Sequence, residues 1–452
     1  MTRRIALLTL LVAGYCTGSR AENLVDIFEL AAKSDPLLLS AKAERDALKE
    51  IGSQTRANFL PTLKANAYYT KLSENITSYQ ILGQDYDVVL ERKPEDSVIG
   101  RYLYENKGYS LTLSQPVFHM PSFADSRIAE VEQVKADVSY RIAQQDLLFR
   151  VAENYYGVLQ RIDELNFART EKAAIARQLE VTKKRFQVGL IAVTDVHETQ
   201  ARHDLALSRE VLAENELSHA REILRDVTGI LHMDLLALRT DMPFIPPTPT
   251  NIDDWTTAAR NQNMRIATAQ LENEAADHRV NKEKAAYYPT VDLNGTLGYN
   301  AYGYPFGASQ SQIASITLDM NWTLYQGGRS ASNIRQARHY IEASKHNLER
   351  VEREVLSQTR NAFLGVLASI SHVKALGQAV NSAAGAAKAT EAGFEVGTRS
   401  AVEVIDAKLE LFRAQRDYAS TRYDYLLNTL RLKVAVGLLT VDDLEQLNQW
   451  LE

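Results

Sequence analysis

Apolar and polar residues along this chain follow two different periods, and the periods change at matching places in its two halves. In four stretches they alternate one for one. Leu63, Ala65, Ala67 and Tyr69 alternate with Lys64, Asn66, Tyr68 and Thr70, and Tyr109, Leu111 and Leu113 alternate with Ser110, Thr112 and Ser114. Later, Val291, Leu293, Leu297 and Tyr299 alternate with Asp292, Asn294, Thr296 and Asn300. Ile316, Leu318, Met320, Trp322 and Leu324 alternate with Ser315, Thr317, Asp319, Asn321 and Thr323. A period of two gives a strand one apolar and one polar face. The pattern therefore predicts strands over about 62–70, 108–118, 290–301 and 313–325. Their lengths approach the roughly 9–11 residues of a membrane-spanning strand. Aromatic residues sit near the strand ends (Tyr68, Tyr69, Tyr109, Phe118, Tyr299, Trp322 and Tyr325), as in the two interfacial girdles of a barrel. Alternation by itself fits a soluble sandwich with one wet face equally well.

The remaining chain reads as helix. It has 11 prolines, but none between Pro121 and Pro243 and none after Pro305. Proline breaks helix interiors, so the runs from Ser122 to Phe186 and from Arg329 to Phe394 are free to form helices of roughly 95 Å at 1.5 Å rise per residue. Helices of that length point to coiled-coil packing. Shorter helices are expected over 194–227, 401–436, 36–59 and 253–287. The segment 242–251 holds Pro243, Pro246, Pro247 and Pro249 and reads as a rigid connector.

The halves are copies. Phe186-Gln-Val-Gly-Leu-Ile-Ala-Val-Thr-Asp-Val and Phe394-Glu-Val-Gly-Thr-Arg-Ser-Ala-Val-Glu-Val lie 208 positions apart without a gap, and the match reaches Gly229 and Gly437. Leu60-Pro61-Thr62 pairs with Tyr288-Pro289-Thr290, and Pro116-Val117-Phe118 with Thr323-Leu324-Tyr325, in the same order. The expected organisation is a first helix–strand repeat over 22–240, a proline-rich connector over 241–252, a second repeat over 253–438 and a short tail over 439–452. Residues 1–21 read as an export signal: Arg3 and Arg4 precede an apolar core from Ile5 to Ala13, and Ser19-Arg20-Ala21 forms a cleavage site. Cys16 offers lipoprotein processing as the alternative, against which Tyr15 is too large. No later stretch reads as a transmembrane helix of about 20 apolar residues.

The net charge of -6 gives no basic footprint for nucleic acid. No P-loop is present, and His197 and His203 lie on different helix faces, so no paired metal site is expected. With no nucleophile–base arrangement either, the sequence implies neither an enzyme nor a cofactor. Strands that meet lipid must close into a barrel, because unpaired backbone groups are costly in hydrocarbon. Four strands cannot close alone, since the smallest membrane barrels have about eight. Several copies would have to share one barrel, with the polar faces around a wet bore.

On Leu60-Pro61, Pro116-Val117-Phe118, Tyr325-Gln326-Gly327-Gly328-Arg329, Val188-Gly189 and Val396-Gly397-Thr398-Arg399, in this order and duplicated, the chain from Glu22 to Leu447 resembles the TolC family of trimeric outer-membrane efflux and secretion channels. The resemblance implies a mixed fold: an all-α coiled-coil tunnel in the periplasm plus a 12-stranded transmembrane β-barrel shared by a homotrimer, four strands per protomer. It implies a passive export duct of a tripartite efflux or type I secretion system. Its partners would be outer-membrane lipid, a periplasmic adaptor (membrane fusion) protein and an inner-membrane pump or ABC transporter. The alternative is a periplasmic coiled-coil scaffold without a pore. The cargo is not named by any residue. The polar stretch 79–104 would be an exterior loop.

The same resemblance assigns the candidate site. Val188, Gly189, Val396 and Gly397 become tip turns for adaptor docking, with glycines supplying the positive φ of a helix reversal. Glu403 and Asp406 match an acidic constriction that attracts cations. Ser400 and Glu403 also have the spacing of a helix capping box. Gln178, Thr194, Asp195 and Arg399 match the gate latch. Phe394 stands where a tyrosine is usual, so a hydroxyl that would reach Asp195 is absent, which leaves Asp195 as a possible N-cap and implies a looser closed state.

Overall fold

The computed structural model describes residues 21–76, 100–304 and 307–452. The expected export signal, with Cys16, falls outside the described residues except for Ala21, and so does the stretch 79–99 of the expected exterior loop. The elements in order are α1 (Leu24–Ser34), α2 (Pro36–Ala57), β1 (Thr62–Ile76), β2 (Gly100–His119), α3 (Met120–Gln187), α4 (Val193–Thr228), α5 (Ile252–Gln262), α6 (Met264–Lys284), β3 (Thr290–Tyr304), β4 (Gly307–Asn321), α7 (Arg329–Glu395), α8 (Ala401–Val436) and α9 (Val441–Asn448). At 68 and 67 residues, α3 and α7 each rise about 100 Å. The chain divides into two compact units, and α3 and α7 contribute to both.

One unit takes the described part of Met1–Arg45 with Ala136–Gln270 and Asn347–Glu452, and it is helical. Its core gathers Leu24 and Ile27 of α1, Tyr155 and Tyr156 of α3, Leu224 of α4, Trp255 of α5, Ile266 of α6, Leu426 and Leu430 of α8 and Leu444 of α9. The duplication shows here as a repeated joint. Asp35 ends α1, its N–H donating to Ala31 O at 2.8 Å, and its carboxylate caps α2 by accepting from Leu38 N at 2.8 Å. Asn263 ends α5, donating to Ala259 O at 3.0 Å, and its amide oxygen caps α6 by accepting from Arg265 N at 2.8 Å. The single helix expected over 253–287 is therefore broken at Asn263 and finishes as a 3-10 turn over Ala285–Tyr287. Helices α1 and α9 were not foreseen; each is short and opens on a capping box, Asn23 with Asp26 and Thr440 with Asp443.

The other unit takes Asp46–Lys135 and Leu271–His346 and contains a four-stranded antiparallel sheet in the order β1-β2-β3-β4. Register aligns like with like across it. Leu63, Leu113, Gly295 and Ile316 form one row, and Ala65, Leu111, Leu297 and Ala314 the row two residues on. The rows between are polar: Lys64, Thr112, Thr296 and Ser315, then Thr62, Ser114, Asn294 and Thr317. The rings of Tyr109 and Tyr299 pack 5.7 Å apart at one end of the apolar face. Tyr68 departs from the aromatic girdle expected of it: it lies on the polar face and its hydroxyl donates to Asn300 Oδ1 at 3.1 Å. Pro116 cannot donate to a ladder, and it sits where the β2–β3 register slips past Val117.

Strand boundaries differ from the sequence reading, and the β3–β4 hairpin is longer at its turn, with β3 running to Tyr304 and β4 starting at Gly307. β1 continues to Ile76, and β2 already begins at Gly100, so 100–104 of the expected loop is strand. β4 stops at Asn321 although the alternation continues to Leu324, because its partner β3 begins at Thr290 just after Pro289, which offers no N–H. In α7, one 18-residue window reaches a mean hydropathy of 1.3, enough by length and composition to cross a membrane. This corrects the expectation that no such stretch follows the leader. The helix is apolar on more than one face there, with Phe363 and Val366 buried and Leu364 and Leu367 exposed.

Candidate functional site

The two helix reversals of the helical unit are built alike. Where α3 ends, Gly189 has φ +79°, its N–H donates to Phe186 O at 2.9 Å, and Leu190 N–H donates to Arg185 O at 2.9 Å. Where α7 ends, Gly397 has φ +81°, donating to Phe394 O at 3.2 Å, and Thr398 N–H donates to Gly393 O at 2.9 Å. This paired pattern closes a helix on a left-handed residue and satisfies its last carbonyls. Val188 and Val396, the residues before the glycines, are both exposed. Each turn thus presents an apolar side chain and a glycine to solvent.

Past the turns the copies diverge. Helix α8 starts on Ser400, whose hydroxyl accepts from Glu403 N at 3.2 Å while Glu403 Oε2 accepts from Ser400 N at 2.7 Å. Arg399 Nη1 donates to the other carboxylate oxygen at 2.6 Å. Helix α4 starts on Ala192, which has no capping side chain. Asp195 is therefore not the N-cap that was the alternative for it. It lies in the first turn of α4, and its carboxylate makes no hydrogen bond or ion pair among the described residues.

The Ser400 amide and the Arg399 guanidinium together hold Glu403 well below its ordinary value of 4.5, to about 2. A depressed carboxyl stabilises the fold above its unfolded pKa and stops doing so as pH falls through the folded one. The stability difference between the protein and Glu403→Gln should hence be constant above about pH 4.5 and fade toward pH 2. Unfolding midpoints measured across that range check it, and a difference that vanishes already at pH 4 contradicts the capping geometry.

Asp406 meets Arg202 of α4: Nη1 lies against Oδ1, and Nη2 is 3.4 Å from Oδ2. Arg399 is taken up by Glu403 and is not joined to Asp195 or Thr194 within the protomer. Gln178 is buried on α3, its Nε2 without a hydrogen-bond partner among the described residues, as is Thr182 Oγ1 one turn on. Phe394 is buried against Ala401 and Val404. The Arg185 guanidinium lies 4.0 Å above the centre of its ring, and Nη1 donates to Phe394 O at 3.5 Å. Two arginines of the first half, Arg185 and Arg202, thus reach residues of the second. The sequence reading missed both. A signal existed for Arg202: Glu198, the counterpart of Asp406 under the 208-residue offset, precedes it by one helical turn, and the two lie 3.6 Å apart.

This arrangement can hold two helical hairpins together by charge and can present carboxylates beside them. The family model described as outer membrane efflux protein matches residues 27–230 and 255–438. The outer membrane protein TolC of Vibrio cholerae is 34% identical over 443 residues, 96% of this chain and 94% of that one. The outer membrane protein TolC of Escherichia coli is 32% identical over 456 residues, 98% of this chain and 88% of that one. The fold is shared with the crystal structure of the Campylobacter jejuni CmeC outer membrane channel, at a TM-score of 0.75 and 13% identity, over 95% of this chain and 90% of that one. With a family model covering both repeats and relatives of this identity over nearly their whole length, the chain belongs to the outer membrane efflux protein family, whose members are channels of the outer membrane.

Proposed function

We propose that three copies of this chain close one 12-stranded barrel in the outer membrane and continue as a helical passage in the periplasm, forming a passive duct for efflux or type I secretion. The observation that carries this is the sheet. It has two faces of opposite polarity, and its outer strands β1 and β4 each pair on one side only. Open edges are not tolerated in hydrocarbon, and four strands reach closure only by adding those of further copies. Detergent-solubilised protein should run as a trimer and conduct ions across a planar bilayer. A soluble monomer without conductance would favour the pore-less coiled-coil scaffold.

At the helix reversals, the reading assigns Glu403 and Asp406 to the constriction. Arg399, Asp195, Thr194 and Gln178 form the polar gate, with the free Asp195 carboxylate available to a neighbouring protomer. Val188-Gly189 and Val396-Gly397 form the surface on which an adaptor docks, and an inner-membrane pump or ABC transporter supplies the energy that the duct itself does not. Carboxylates at a narrow point favour cations. Asp406→Asn should lower the potassium-to-chloride permeability ratio by about half or more, read as the reversal potential in a salt gradient. An unchanged ratio would remove Asp406 from the pore.

A further inference from the structure

We propose that Arg202 is the counter-ion of Asp406, bracing α4 against α8 and damping the cation selectivity of the constriction while the two helices stay together. The inference rests on the reading that Asp406 faces the pore.

The pair joins helices 204 residues apart in sequence, one from each repeat. Its two guanidinium nitrogens face the two carboxylate oxygens, the fork geometry that makes arginine–carboxylate bonds strong and directional. A small apolar plug fixes the register. Ile175 of α3, Ala206 of α4 and Ile405 of α8 are buried together, with Leu409 against them. Ala206 lies one turn beyond Arg202, and Ile405 immediately precedes Asp406. Arg202 is held between helices, 26% exposed, whereas Asp406 is 55% exposed. Arg202 Nε is buried without a partner among the described residues, and the terminal nitrogens go to Asp406 and, more loosely, to Glu198 at 3.6 Å.

The consequence concerns charge. Glu403 already carries its own guanidinium, that of Arg399. With Arg202 on Asp406, each of the two constriction carboxylates carries a guanidinium, so a trimeric ring of them is partly compensated instead of bare, with Glu198 sharing Arg202 from the far side. A cation entering the ring competes with Arg202 for Asp406. Moving α4 away from α8 uncovers the carboxylate, so opening the hairpins and switching on cation selectivity become one event.

The test is planar-bilayer recording of the full-length protein. Arg202→Gln should raise the potassium-to-chloride permeability ratio about threefold and lower the Mg2+ concentration that half-blocks the current about tenfold, since a compensated ring becomes a bare one. Arg202→Lys keeps the positive charge and should stay near the parent values; a merely structural loss would not be rescued in selectivity this way. In the Asp406→Asn background, Arg202→Gln should leave the Mg2+ block unchanged, because no carboxylate is uncovered. Arg202→Ala takes its place if the glutamine variant does not assemble. An unchanged ratio in Arg202→Gln, with Asp406→Asn lowering it, overturns the inference and leaves the constriction standing. An equal gain in Mg2+ block with Asp406 already removed also overturns it, since the arginine then covers a different carboxylate. If neither substitution moves the ratio, the constriction reading fails and this inference with it.

Discussion

Asp35→Ala is expected to destabilise the helical unit by about 3–4 kcal/mol, because breaking a buried ion pair leaves its partner stripped of compensation and removing a helix cap adds about 1 kcal/mol. Asp35 is 1% exposed. Its carboxylate accepts from both terminal nitrogens of Arg150, at 3.2 and 2.7 Å, and also caps α2. Arg150 is 29% exposed and sits on α3 five residues before the core residue Tyr155, so its guanidinium stays partly screened by protein once the carboxylate is gone. Asp35→Asn keeps the cap and loses the charge, and should cost about half as much. The repeat supplies an internal control, since Asn263 makes the same joint in the second half with a neutral side chain and no arginine on it. Asn263→Ala should therefore cost only about 1–2 kcal/mol, a cap and a buried hydrogen bond to Ala435 O. Unfolding midpoints in denaturant, followed by circular dichroism on the detergent-solubilised protein, give the comparison. Equal losses at the two joints would mean that the ion pair contributes nothing beyond the cap.

What the sequence made legible, and what it hid, follows from the range of the forces involved. The long helices and the glycine reversals are local decisions: an absence of proline, and a residue able to adopt positive φ at Gly189 and Gly397. The strand faces are local too, because a period of two survives any uncertainty about where a strand ends. The strand ends themselves were not local. β4 stops at Asn321 because Asn321 pairs with Thr290, the first residue of β3 after Pro289. Helices α1 and α9 escaped because 11 and 8 residues give too few turns for a period to stand out, and their apolar residues have meaning only against the core they help to close. The break at Asn263 was hidden because a single asparagine inside a helical pattern is not decisive, although its amide oxygen caps α6 and its amide nitrogen donates to the distant Ala435 carbonyl. In the candidate site, spacing revealed the Ser400–Glu403 box, a contact within four residues. It could not reveal Arg202 with Asp406 or Arg185 with Phe394, since those depend on how one hairpin slides along the other. Arg399 spends its guanidinium on Glu403, a contact within one helical turn that the spacing of the capping box already contained.

The second large effect is expected on the sheet. Row by row, the apolar face runs from Val291, beside Phe118 and Met320, to the Tyr109–Tyr299 pair, eight residues along β3 or about 26 Å at 3.3 Å per residue. Gly295 lies midway, and across from it on the edge strand is Ile316, 84% exposed in the protomer. If this face meets lipid, Ile316 is at the depth where a charge is hardest to accommodate, and Ile316→Arg should destabilise the barrel by about 2–4 kcal/mol. Assembled trimer in the outer membrane should fall to a small fraction of the parent level. Thr317 is the next residue and points to the other face, in the row of Thr62, Ser114 and Asn294. Thr317→Arg should leave assembly nearly intact and instead lower single-channel conductance and the permeability ratio for cations, because the added charge stands in the bore. The two substitutions differ by one position along one strand, so helix packing, expression and net charge are common to both. Equal assembly of the two variants would deny that the sheet has a lipid side, and the shared barrel would fall with it.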